Sequence, residues 1–279
     1  MKKISLFLSL FLLTFGSYAQ KSCCELTAST KEFAAFANDK EFVATHQNPL
    51  AYTHISEVGK AISFEGSDGK TAYGYELKAK KKSKNYLFVI HEWWGLNDHI
   101  KREAEKLYND LDINVIALDL YDQKVATQRE EAANYMKAAT AERSKAIIEG
   151  ALKYAGKKAK VFTIGWCFGG AWSLQATLLA GKKANGCVMY YGMPEKDINK
   201  LKTIETDVLG IFAGKEKWIS SEIVAEFEKN MKEAGKNITV KSFDAEHAFA
   251  NPSNPNFDEV ATKEAYQMTI DFLKKRIKK

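Results

Sequence analysis

From Tyr86 onward the chain alternates between two hydrophobic periods, and nothing else in it constrains the fold as strongly. Short apolar, β-branched runs occur at Tyr86–Ile90, Asn114–Leu118, Lys160–Ile164, Gly186–Tyr191, Val208–Phe212 and Ile238–Phe243. Between them lie segments of helical spacing. Asp98–Asp110 puts Ile100, Ala104 and Leu107 on one face, and Gln128–Tyr154 (one helix or two), Ala171–Ala180, Ser220–Glu233 and Asp258–Ile277 follow. Strands that alternate with helices in this way pair in parallel through crossovers, so the expected fold class is α/β: a mostly parallel sheet with helices on both faces. Upstream, Ala61–Phe64 and Thr71–Tyr75 flank Gly66-Ser67-Asp68-Gly69 and read as a hairpin forming an antiparallel N-terminal edge.

The 279 residues, 46% of them apolar, suffice for one sizeable core. No internal repeat or low-complexity linker interrupts residues 59–279, which read as one domain. Residues 20–58 read as a polar N-terminal extension, with Phe33, Phe36, Ala37, Phe42 and Val43 predicting a short amphipathic helix between Lys31 and His46.

Residues 1–19 have the pattern of a cleaved signal peptide: Lys2 and Lys3, the apolar run Ile4–Phe15, then Ser17-Tyr18-Ala19. The run is short for a bilayer span, so export to the periplasm or outside the cell is expected, with no stable membrane insertion after cleavage. Without Lys2 and Lys3 the net charge falls from +6 to +4. Scattered lysines at that charge describe a solvated surface and not a nucleic-acid partner. Of the four cysteines, Cys23 and Cys24 are adjacent and poorly placed to bridge, and no spacing with Cys167 and Cys187 forms a disulfide framework.

Cys167 therefore needs another account. In Lys160–Gly170 a strand runs into Gly165-Trp166-Cys167-Phe168-Gly169 and a helix follows. Glycines on both sides allow a tight strained turn that lifts the central side chain to the top of a sheet, above helix N–H groups that favour a thiolate and an oxyanion. A buried cysteine in a glycine-rich turn is the alternative. In α/β-hydrolases an acid and then a histidine follow the nucleophile. His247, after the final strand, fits the base, while His46, His54, His91 and His99 all precede the turn. Glu216 is the carboxylate following Val208–Phe212, whereas Asp207 lies at the wrong end of that strand. A loop histidine and a solvated loop charge remain the alternatives for these two. His91-Glu92 is not a zinc helix, because position 95 is Gly95, and no other ligand spacing or cofactor motif occurs, so neither a metal nor a cofactor is expected.

Together with His91-Glu92-Trp93-Trp94-Gly95-Leu96-Asn97, Leu118-Asp119-Leu120-Tyr121, Gly214–Ile219 and Glu246-His247-Ala248-Phe249, this turn closely resembles the dienelactone hydrolase family over roughly residues 59–277. The resemblance implies a triad of Cys167, Glu216 and His247, with glutamate where the family carries aspartate. It implies that Glu92 contacts the thiol and takes its proton when substrate binds. The oxyanion donors would be the backbone N–H groups of Trp93 and Phe168. Trp94, Trp166, Trp172 and Trp218 lie near these loops; Trp94 and Trp218 are the candidates to line a pocket, with core packing as the alternative. The family holds a substrate carboxylate with two arginines. Arg129 matches the first, and Asn251 stands where the second would be. The expected function is hydrolysis of a small-molecule lactone or ester by a monomer or weak dimer. A cysteine-dependent peptidase or acyltransferase, or a binding module that keeps the fold, are the other readings.

Overall fold

The structure is a computed structural model and describes residues 28–278. The expected signal segment, Cys23 and Cys24 lie outside the described residues. The order of elements is α1 (Ala28–Ala35), a 3-10 turn (Phe36–Asn38), α2 (Lys40–Thr45), β1 (Gly59–Glu65), β2 (Thr71–Leu77), β3 (Asn85–Ile90), α3 (Asp98–Leu111) and β4 (Asn114–Asp119). Then come α4 (Arg129–Ala138), α5 (Ala141–Ala155), β5 (Lys160–Trp166), α6 (Phe168–Ala180), a 3-10 turn (Gly181–Lys183), β6 (Ala184–Tyr190), α7 (Ile198–Leu201), β7 (Val208–Ala213), α8 (Ser221–Glu233), β8 (Ile238–Phe243) and α9 (Glu259–Ile277).

One eight-stranded sheet runs β1-β2-β4-β3-β5-β6-β7-β8. The β1–β2 and β2–β4 pairings are antiparallel and every later pairing is parallel, which is the α/β arrangement expected from the alternating periods, with the hairpin at its edge. All six residues of β4 and of β7 are buried, as strands covered on both faces must be.

Of the two readings open for Gln128–Tyr154, the structure has two helices, because Thr140 takes an extended conformation and caps the second by accepting a hydrogen bond from Arg143 N–H. Two local differences from the sequence reading have identifiable causes. The expected helix between Lys31 and His46 is broken: the Asp39 carboxylate accepts from Glu41 N–H (2.8 Å) and Phe42 N–H (3.2 Å), starting α2 afresh. The bend sends fully buried Phe33 and Phe42 into the same apolar core as the sheet, so this part of the extension is integral to the packing. Finally, α6 begins at Phe168 and not at Ala171, with Gly169 and Gly170 in its first turn. A Cβ on Gly169 would lie 2.2 Å from the Ile90 carbonyl oxygen, and one on Gly170 would lie 2.4 Å from that of Tyr190.

Those glycines are what let α6 press on the carboxyl ends of β3 and β6. Backbone cannot yield as a side-chain tip does, so Gly169→Ala is expected to destabilise the protein by about 3 kcal/mol. Urea unfolding checks this; an unchanged midpoint would mean that α6 does not sit this close.

Candidate active site

Cys167 stands between the last residue of β5 and the first of α6 with φ 56° and ψ −119°, a conformation costing a non-glycine residue about 1–3 kcal/mol. The surroundings hold it there. Its N–H donates to Tyr190 O (3.0 Å) and its carbonyl accepts from Gly170 N–H (3.0 Å). A Cβ at Gly165 would lie 2.1 Å from Gly169 O, so the turn closes only with glycine at that position. The side chain is buried, at 1% exposure. Burial pushes the thiol above its usual range, while His247 and the Phe168 N–H act in the opposite direction.

His247 follows β8 on a turn whose next residue, Ala248, has φ 61°. Its Nδ1 lies 2.8 Å from Glu216 Oε1, and both side chains are buried. The contact is an ion-pair approach and not an aligned hydrogen bond. Burial acts against the imidazolium, but the Glu216 carboxylate and the Cys167 sulfur outweigh it and raise His247 well above its ordinary value. The ring of Tyr191 supports His247 edge-on at 5.0 Å.

Glu92 follows β3 and is buried. Burial lifts its carboxyl to about 7, with His247 pulling downward and Glu103 pushing upward. Its Oε1 accepts a hydrogen bond from Asn251 Nδ2, and the Asn251 carbonyl oxygen in turn accepts from the backbone N–H and hydroxyl of Ser253. Asn251 thus has its amide committed to Glu92, a neighbour of Cys167, and not to an open carboxylate clamp. The cavity beside them, between Arg102, Trp166, Tyr191 and Asn251, is about 20 Å³, room for roughly one water. His91 has both nitrogens in use: Nδ1 lies 2.8 Å from Glu92 O and Nε2 accepts from Leu120 N–H. It anchors the turn that carries Glu92 and Trp93.

Phe168 is the first residue of α6, and Trp93 is buried in the turn after Glu92. Trp94 is core, at 2% exposure. Trp218 is half-buried and donates from Nε1 to Asp39 Oδ2 (2.9 Å), which ties it to the N-terminal segment. The structure does not bring Arg129 to Cys167. Its side chain is exposed, pairs with Glu130 (3.1 Å), and lines a surface cleft of about 430 Å³ with Ala37, Val43 and Lys137. Residues of α2 occupy this flank, so the guanidinium meets them instead.

Sequence reasoning passed over His46 because it precedes the nucleophile. The structure folds it back: His46 is buried, stacks on Trp93 (4.5 Å between centroids), and places Nε2 4.0 Å from Cys167 Sγ. Burial and the proximity of His247 depress it to about 3, so its ring is neutral. Phe42, one turn earlier on the same face, meets Trp93, Trp218 and His247. The available signal was the Phe42–His46 spacing of four, which puts both on one side of a helix. Among the described residues, His46, Cys167 and His247 also offer donor atoms within 4.8 Å of one another. Motif spacing missed them because they come from three distant segments.

Comparisons with known proteins agree with this architecture. A putative carboxymethylenebutenolidase of Aquifex aeolicus is 24% identical over 234 residues, covering 79% of this chain and all of that protein. A carboxymethylenebutenolidase of Pseudomonas sp. is 33% identical over 116 residues, covering 41% of this chain and 48% of that protein. Among solved structures, a dienelactone hydrolase-like promiscuous phosphotriesterase from metagenomic libraries aligns with TM-score 0.68 at 20% identity, over 78% of this chain and 99% of its own. A Pyrococcus furiosus esterase aligns with TM-score 0.60 at 14% identity, over 83% and 97%. At these identities the two structures show the shared fold. The family model described as the dienelactone hydrolase family matches residues 72–277, well over half of the sequence, and the chain belongs to that family.

Proposed function

We propose that this hydrolase cleaves carboxylic esters or lactones with Cys167 as its nucleophile. The observation that carries the reading is the strained Cys167 at the head of α6, with the buried His247–Glu216 pair beside it. Sγ attacks the carbonyl carbon while its proton passes to His247, directly or by way of Glu92. The N–H groups of Phe168 and Trp93 stabilise the oxyanion. The C–O bond breaks as His247 protonates the departing alkoxide, leaving a thioester on Cys167. His247 then removes a proton from water, which attacks the thioester and releases the acid. Arg129 stays on the surface cleft and Asn251 carries no charge, so these two positions do not form the two-arginine carboxylate clamp. Export, carried by the pattern of residues 1–19 alone, belongs to the same proposal, and a resting neutral thiol suits an oxidising surrounding. A panel of lactones and esters tests the reading, with Cys167→Ala as the blank.

The Glu92 carboxyl supplies a pH test. An acid raised to about 7 is protonated below that pH and ionised above it. If it receives the thiol proton, kcat/KM rises as pH increases through about 7. In Glu92→Gln that limb should disappear and the rate above it should fall by about 10²-fold. An unchanged limb in the variant would remove Glu92 from the proton path.

A further inference from the structure

We propose that the N-terminal segment completes a zinc-binding site on the nucleophile, with His46, Cys167 and His247 as three ligands to one Zn²⁺ ion. Three observations point there. The donors come from positions far apart in the sequence yet lie within 4.8 Å of one another. Tetrahedral zinc with ordinary Zn–S and Zn–N bonds spaces sulfur and nitrogen donors about 3.6 Å apart and two nitrogens about 3.3 Å apart. The His46 Nε2–Cys167 Sγ separation of 4.0 Å is therefore within about half an ångström of a coordinated pair.

The ring orientations also match. A ligating imidazole usually donates its other N–H to a carbonyl or carboxylate, which fixes the tautomer. His46 Nδ1 lies 2.8 Å from Phe42 O, so its proton sits there and the Nε2 lone pair faces the sulfur. His247 Nδ1 lies 2.8 Å from Glu216 Oε1, which directs Nε2 as its donor atom. Thus one carbonyl and one carboxylate already stand behind the two rings.

All three donor residues are buried among Phe42, Trp93 and Tyr191, a shell that shields a soft cation–thiolate bond from water. Binding releases the thiol proton and forms a Zn–S bond, with two imidazole nitrogens and one enclosed water completing the tetrahedral set. The ion would occupy the lone pairs that hydrolysis needs and pin α2 over the site. Zinc is thus a reversible inhibitor and the segment carrying His46 its latch. The inhibitory consequence rests on the proposed hydrolysis; the binding site does not.

The test is titration of the full, chelator-treated protein with Zn²⁺ by calorimetry and with Co²⁺ by absorption. Expected are one ion per chain and a near-ultraviolet thiolate-to-cobalt band, absent in Cys167→Ser. His46→Ala and the bulkier His46→Gln should each weaken Zn²⁺ binding by at least about tenfold. Circular dichroism establishes that both variants are folded. Equal affinity in the folded His46 variants, or no thiolate band in the native protein, overturns the proposal. Ester hydrolysis should fall on adding Zn²⁺ and return with chelator. A cobalt band without any esterase activity would retain the metal site and reject the hydrolytic reading. Activity with His46-independent binding would do the reverse.

Discussion

Cys167→Ala is expected to lower kcat/KM for p-nitrophenyl acetate by about 10⁴-fold or more while leaving the fold intact. The variant removes one buried sulfur and keeps the backbone bonds that shape the turn, from Cys167 N–H to Tyr190 O and from Gly170 N–H to Cys167 O. What it loses is the covalent step, because no other described nucleophile lies beside the N–H of Phe168 at the head of α6. Residual rate would come from the oxyanion donors and His247 acting on water directly. Cys167→Ser should recover only part of the loss, since the hydroxyl proton is harder to remove and His247 is placed for a larger sulfur. Stopped-flow or steady-state assay settles this, with circular dichroism as the control for folding. If Cys167→Ala kept more than about a tenth of the native rate, the nucleophile would have to be sought elsewhere.

The elements that create this site were legible because each is written in its own periodicity. β8 runs Ile238–Phe243 as its short apolar run predicts, and the strand entering Gly165 leads into a helix as the turn motif requires. What spacing could not carry is how segments remote in sequence converge. His46 reaches Cys167 only because Asp39 restarts a helix and Phe42 finds the core beside Trp93. Asn251 appeared to be a lost arginine, yet its amide is committed to Glu92, a relation between loops 159 positions apart. Arg129 matched a family segment, but α2 packs on that flank and meets its guanidinium before any ligand could. In each case the local motif was readable, and the partner that sets its role was not.

Glu216→Gln is expected to lower kcat/KM by about 10³–10⁴-fold, the second largest effect. Glu216 is the acid whose identity departs from the aspartate of the family. Its extra methylene places Oε1 2.8 Å from His247 Nδ1 across the space between the β7 and β8 loops. A buried carboxylate there does two things: it selects the tautomer that presents a lone pair to the thiol, and it offsets the cost of a buried imidazolium when that proton arrives. Glutamine keeps the length and loses both, because its amide donates as readily as it accepts and carries no charge. The raised His247 should then fall, moving the pH at which the ring becomes neutral downward. NMR titration of the His247 ring protons reads this shift separately from the rate. Glu216→Asp keeps the charge but withdraws it by about one carbon–carbon bond. It should lose less than Gln, about 10- to 100-fold, and retain most of the elevated His247 titration. If Gln and Asp were equally active, Glu216 would be a structural charge and the acid of the triad would lie elsewhere. If Asp exceeded glutamate, the loop would be adapting to the shorter side chain, and the 2.8 Å contact would not be what sets the rate.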